Sequence, residues 1–226
     1  MGLIVMKRQA LILLTVLVLG LGFGQVAAQD AEMNRFAVEK DWVSWQKGIV
    51  YPDTVKKLFI KDKMPLNYEA LRTFQNLEGL IVYDSPLPDL KFLEDFPALR
   101  ILELEGNQLP TLEGIQNLRK LEEFACSSNF ISDISPLDSL LKLRMVKLYD
   151  NEFPSLKPIS HLENVTHLDV SKSKIRSLAP IAHWKQLRVL SVYKCYELRD
   201  ITALTAFPNL TDLNISFLDV PNFSLQ

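Results

Sequence analysis

The sequence is poor in the residues from which most protein chemistry is built. It has two cysteines, Cys126 and Cys195, and three histidines, His161, His167 and His183. A structural zinc site takes four nitrogen or sulfur ligands. His161 and His183 stand 22 residues apart with no third or fourth ligand at suitable spacing, so solvated surface histidines are expected. There is no glycine-rich phosphate loop, no G-x-S-x-G and no H-E-x-x-H. Nucleotide, serine-hydrolase and zinc-protease chemistry therefore lack their usual machinery. Asp150 and Asp169 have no recognisable pocket in which to act as an acid–base pair. The expectation is a protein that is not an enzyme, with no cofactor and no metal site. No basic tract accompanies an aromatic platform, which argues against nucleic acid as a partner.

Long apolar runs are also missing, except one. Residues 1–28 carry Lys7 and Arg8, an uncharged stretch from Ala10 to Phe23, and the small-residue sequence Gln25-Val-Ala-Ala28. A charged start, an apolar centre and a small-residue end describe a secretory signal peptide. A membrane anchor is the alternative, although spanning a bilayer takes about 20 apolar residues. With 1–28 removed, 23 basic and 27 acidic residues remain, a net charge of −4. The mature chain is expected to be exported, periplasmic or secreted, with no membrane span after cleavage.

The rest of the chain is organised by repetition. Taking Leu121 as position 1, the same position falls at Val55, Leu77, Leu99, Leu143, Val165 and Leu187, each 22 residues from the next. Positions 4 and 6 are apolar in every unit, as in Leu102 and Leu104 or Phe124 and Cys126. The following unit begins one residue late, at Leu210, because Tyr196 or Glu197 is additional. Position 9 is Asn107, Asn129 and Asn151 in the middle units, where an amide can satisfy backbone groups freed by a turn. Position 16 is Pro136, Pro158 and Pro180, which disfavours a full helix. A strand spaced by two, a turn at asparagine and a looser return explain this rhythm; a single helix or strand does not.

The motif in LRILELEGNQL, Leu99 to Leu109, resembles that of leucine-rich repeats. The return segment Ser132-Asp-Ile-Ser-Pro-Leu137 resembles the 22-residue class found in internalins. The resemblance implies an α/β repeat: a right-handed solenoid of about eight repeats with a concave parallel β-sheet and short turns or 3-10 segments on the convex side. It also suggests recognition at a host surface or cell envelope. The expected division is a signal peptide at 1–28, an N-terminal cap at 29–54 and repeats at 55–226, the last one incomplete. In the cap, Met33, Phe36 and Val38 fit a degenerate strand, while Trp42, Trp45 and Ile49 are also spaced for one face of a helix. A short irregular cap whose two tryptophans cover the first unit is the favoured arrangement.

Alternation along a strand sends positions 4 and 6 inward and positions 3, 5 and 7 to the concave face. The candidate binding residues are Phe59, Ile81, Tyr83, Ile101, Glu103, Glu105, Glu123, Met145, Lys147, Tyr149, Asp169 and Tyr193. Tyr83, Tyr149 and Tyr193 share one row, and exposed aromatics with a methionine are what interfaces use as anchors. Glu103, Glu105 and Glu123 make an acidic block; Lys147, Lys172 and Lys194 make the following part basic. A protein or peptide ligand on this face is the expected partner. The alternative is a structural or assembly component of the cell envelope that docks end-on, to itself or to an envelope protein, through the apolar C-terminal edge; a monomer that stays monomeric when 220–226 is trimmed would disfavour it. Cys126 and Cys195 lie three units apart, roughly 14 Å at the spacing of adjacent strands, too far for a disulfide.

Overall fold

A computed structural model describes residues 42–45, 54–61 and 68–218. The signal-like segment, Met33, Phe36, Val38 and Ile49 lie outside the described residues. Contacts divide the chain into two units at Trp42, and the architecture below is that of the unit beginning at Val43.

Nine parallel strands pair in sequence order into one sheet. They are β1 (Val43–Ser44), β2 (Lys57–Lys61), β3 (Gly79–Tyr83), β4 (Ile101–Glu103), β5 (Glu123–Ala125), β6 (Met145–Lys147), β7 (His167–Asp169), β8 (Val189–Ser191) and β9 (Asp212–Asn214). From β2 to β8 every register step is 22 residues, as in Leu80↔Leu102 and Val146↔Leu168. The step from Val189 to Asp212 is 23, which places the additional residue in the connecting segment and leaves the sheet undisturbed. At the N-terminal end Val43 pairs with Leu58, so Val43–Ser44 is a strand rather than part of a helix. The Trp45 N–H donates to the Phe59 carbonyl (2.8 Å), and the side chain packs, partly buried, against the core.

The period-two alternation is realised directly. Leu58, Leu80, Leu102, Phe124, Val146, Leu168 and Leu190 are all at most 1% exposed. Each inward aliphatic or aromatic group contributes about 1.5–3 kcal/mol when fully buried, but a lone unit has nothing to bury them against. On the opposite side the chain returns through short 3-10 turns: η1 (Lys91–Asp95), η2 (Ser135–Leu137), η3 (Lys157–Ile159), η4 (Ala179–Ile181) and η5 (Thr202–Ala206). A single helical turn, α1 (Tyr68–Leu71), takes this place in the first return. Proline occupies the first or second residue of η2, η3 and η4. The unit between β4 and β5 has Gly114 at that phase instead, with φ +115°, and a Cβ there would lie 2.7 Å from the Leu90 carbonyl.

Two hydrogen-bonded ladders lock the corners. At position 9, Asn129 Oδ1 accepts from the N–H of Asn107 (3.1 Å) and Leu109 (2.9 Å), and Nδ2 donates to the carbonyl of Leu104 (2.7 Å) in the preceding unit. Asn107 and Asn151 repeat this reach, to Val82 and Cys126. Two units beyond Asn151, the Cys195 thiol donates to the Val170 carbonyl at 3.1 Å, the bond an asparagine amide makes elsewhere. At position 13, Asp89, Thr111, Asp133, Ser155, Ser177 and Asp200 each accept the backbone N–H two residues ahead, opening the convex turn. Such local side-chain bonds are why these residue types start turns.

A third regularity has no compositional signature. Position 8 is left-handed in every unit from β3 onward: Asp84, Gly106, Ser128, Asp150, Lys172, Lys194 and Phe217, with φ between 50° and 69°. Only one of the seven is glycine. Each of the first six donates its N–H to position 7 of the next unit, as Lys172 does to Tyr193 (2.7 Å) and Ser128 to Tyr149 (2.8 Å). The sheet's hydrogen bonding thus continues past the strands, and that continuity holds the backbone where L-residues otherwise lose about 1–2 kcal/mol.

Candidate protein-binding face

The twelve sequence-selected residues all lie on the strands or within two residues of a strand's end. They do not present themselves alike. Ile81 and Glu103, both in the central row, are 3% and 4% exposed. Phe59, Tyr83, Ile101, Glu123, Met145, Lys147, Tyr149, Asp169 and Tyr193 are partly buried, and Glu105 is exposed. Strands lie about 4.8 Å apart, so long side chains in the middle row of a concave sheet lean on one another and lose contact with water.

The first half, β2 to β5, gathers acid around an aromatic pair. Tyr83 meets Phe59 edge-on at 5.7 Å between ring centroids. Its hydroxyl donates to Glu103 Oε2. Burial, then that bond, then the charges of Glu103 and Glu105 push the phenol well above its usual range. Burial likewise pushes the Glu103 carboxyl up, opposed by the Tyr83 bond and the Lys147 ammonium. Glu105 is raised by partial desolvation, and Lys147 is lowered by burial despite Glu103, Asp169, Glu105 and Glu123 nearby. The residue between Glu103 and Lys147 in the register is short, Ala125, and so is Ser127, two residues further along the same chain.

The second half, β6 to β9, is built from tyrosine, lysine and serine. The Lys172 ammonium sits 4.6 Å above the Tyr149 ring and reaches Asp150 at 3.5 Å. The Lys194 ammonium sits 5.0 Å from Tyr193 and 5.4 Å from Phe217, and the two rings meet edge-on at 5.5 Å. Both lysines are position-8 residues with left-handed backbone. Ser171 and Ser191 form a buried floor, their hydroxyls 2.7 Å apart. Phe217 and the serine floor were not among the sequence-selected residues; the serines were readable as small residues in the concave rows, whereas nothing in the sequence marked Phe217.

His167 lies in β7, paired with Met145, while the other histidines and the cysteines fall elsewhere. His161 and His183 lie on exposed surface beside Asp138 (2.8 Å) and Glu163 (3.7 Å) of the preceding unit. Cys126 and Cys195 are free and buried, and burial pushes both thiols up. Among the described residues no three His, Cys, Asp or Glu side chains are grouped so as to hold a metal ion. Nor is any helix among them long and apolar enough to cross a membrane.

No protein-family model matches the chain, and no curated protein matches it in sequence. Solved structures do. The internalin InlF of Listeria monocytogenes is similar with a TM-score of 0.64 at 23% identity, over 75% of this chain and 55% of that one. Internalin C2 of the same organism gives 0.59 at 22% identity, over 73% of this chain and 69% of that one. The Arabidopsis receptor kinase HAESA ectodomain, solved with a peptide hormone ligand, gives 0.60 at 16% identity, over 73% of this chain and 30% of that one. This chain therefore spans about half the length of InlF. With the 22-residue register, the asparagine–cysteine ladder and the 3-10 returns, this similarity fixes the architecture: the chain is a leucine-rich-repeat solenoid.

Proposed function

We propose that this chain is an exported, non-catalytic binding protein that holds a protein or peptide partner against its concave sheet. The observation that carries the reading is the pair Tyr149 and Tyr193, partly buried, each under a lysine ammonium beside a floor of serines. Rings already held by neighbours lose little freedom on binding, so contact with them costs less than ordering loose side chains. The lysines and the acidic block would orient the partner and speed encounter. The HAESA ectodomain, with its peptide hormone, shows the fold holding a peptide in another protein. Export rests on the sequence of residues 1–28, with 29–54 as a cap and 55–226 as the repeats. The absence of catalytic motifs from the sequence supports a role without chemistry.

The test is to pan phage-displayed random linear peptides on the wild-type chain and measure the enriched peptides against Tyr149→Ala/Tyr193→Ala. Removing two interface anchors is expected to weaken binding at least 100-fold, by about 3 kcal/mol or more, with an unchanged circular dichroism spectrum. Equal affinity for the double variant would refute this face as the site.

A further inference from the structure

Glu103 stands out among the buried polar groups. Its side chain is 4% exposed, Oε2 accepts the Tyr83 hydroxyl, and Oε1 accepts nothing. It is the one buried side-chain oxygen or nitrogen among the described residues without a hydrogen-bond partner. Such an atom costs free energy, and folded proteins keep very few of them.

The surroundings indicate what kind of donor is missing. Glu105 lies two residues further along the same chain, on the same face, about 6.6 Å away by strand rise. The next unit places only the short side chains of Ala125 and Ser127, both buried, beside the two carboxylates. Glu103, Glu105, Glu123 and Asp169 act on the Lys147 ammonium, and Asp84 and the Lys61 ammonium act on Glu105, so carboxylates outnumber ammonium groups and the locality is negative. A metal is not the missing group, because no three candidate ligands among the described residues converge. The need is for an N–H donor that carries positive charge. The two neighbours acting most directly on Glu103, Tyr83 and Lys147, are both partly exposed, so side-chain rotation can admit such a group.

We propose that the site formed by Glu103, Glu105 and Ala125 receives the guanidinium of an arginine side chain on a peptide or protein partner. One edge of the guanidinium donates to Glu103 Oε1, and the other donates to Glu105. A planar cation with donors on two edges bridges two carboxylates on alternate positions of one strand. A lysine ammonium is a more strongly hydrated point charge and reaches one of them. The proposal rests on the concave-face reading above and names the partner chemistry for its first half.

The test titrates the chain with three capped alanine-based pentapeptides whose central residue is arginine, citrulline or lysine, followed by backbone amide NMR shifts. The arginine peptide is expected to shift β4 and β5 signals and to bind at least tenfold more tightly than the citrulline peptide, with lysine between them. Glu103→Gln is expected to lose that tenfold. Should Glu103→Gln fail to fold, Glu105→Gln, altered at an exposed site, is expected to lose at least threefold. The Tyr149→Ala/Tyr193→Ala variant is expected to bind the arginine peptide as wild type does, which separates this site from the tyrosine anchors. Equal binding of arginine and citrulline peptides, or unchanged arginine binding in a folded glutamate variant, overturns the proposal. If panned peptides lose affinity for the tyrosine variant yet ignore both glutamate variants, the concave-face reading stands and the arginine site falls.

Discussion

The two halves of the sheet share one backbone and differ in almost everything displayed on it. From β2 to β5 the face is acidic and aromatic, with a carboxylate buried at the cost of an unanswered oxygen. From β6 to β9 it is lysine over tyrosine above a floor of paired serines. The corners differ as well: asparagine amides hold the middle units, and a cysteine thiol does the equivalent work near the end. The register is indifferent to these changes. Repetition fixes the scaffold through inward positions, which frees the outward ones to diverge unit by unit.

The corner ladder gives the largest contrast. Asn129 accepts two backbone N–H groups and donates to a carbonyl of the unit before it, all buried. Asn129→Ala is expected to destabilise by about 3 kcal/mol in urea unfolding, because buried donors are left unpaired. Cys195→Ala, which removes one thiol bond to Val170, is expected to cost about 1 kcal/mol. Equal losses would mean that the two corners are held by packing alone.

The buried carboxylate gives a smaller effect of opposite sign. Burial raises the Glu103 pKa above its unfolded value. Ionising it in the folded state therefore subtracts stability as pH rises through the unfolded carboxylate value of about 4.3, and the loss is complete above the folded pKa. Glu103→Leu is expected to be more stable than wild type by on the order of 1 kcal/mol at pH 7. The difference should shrink toward zero as pH falls below about 4. A variant less stable than wild type at pH 7 would show that Tyr83 and Lys147 more than offset burial.

The smallest contrast lies at the left-handed corners. Ser128→Gly is expected to stabilise by about 0.5 kcal/mol, the relief of a left-handed serine less the entropy a glycine loses on folding. Lys172→Gly relieves the same backbone but gives up the cation–π contact with Tyr149, about 0.5–1 kcal/mol, and is expected to be neutral or slightly destabilising. Thermal melts that rank Lys172→Gly above Ser128→Gly would remove the stabilising role assigned to that lysine.

How much of this was legible in the sequence depended on which residues carry the signal. The inward leucines and the position-9 asparagines repeat every 22 residues, so register, strand order and the one-residue slip before Leu210 were all readable. The position-13 run of Asp, Thr and Ser was equally periodic and could have been read as a ladder of turn starts. The left-handed corners could not: aspartate, serine, lysine and phenylalanine share no property that predicts positive φ, which the hydrogen bonds to the next unit impose. Alternation says which way a side chain leaves the strand, not how far its neighbours cover it. Hence Ile81 and Glu103 were expected at a water-facing surface and are buried.

The extra residue between β8 and β9 marks where the coil tolerates a change of length. Tyr196, beside it, is 57% exposed, while Leu190 and Leu213 stay paired across the longer segment. A reporter loop or fluorophore spliced in at this shoulder would project from the rim and leave the sheet's spacing unaltered. The molecule thus carries its own attachment point for a reporter of binding at the neighbouring face, should the proposed function hold.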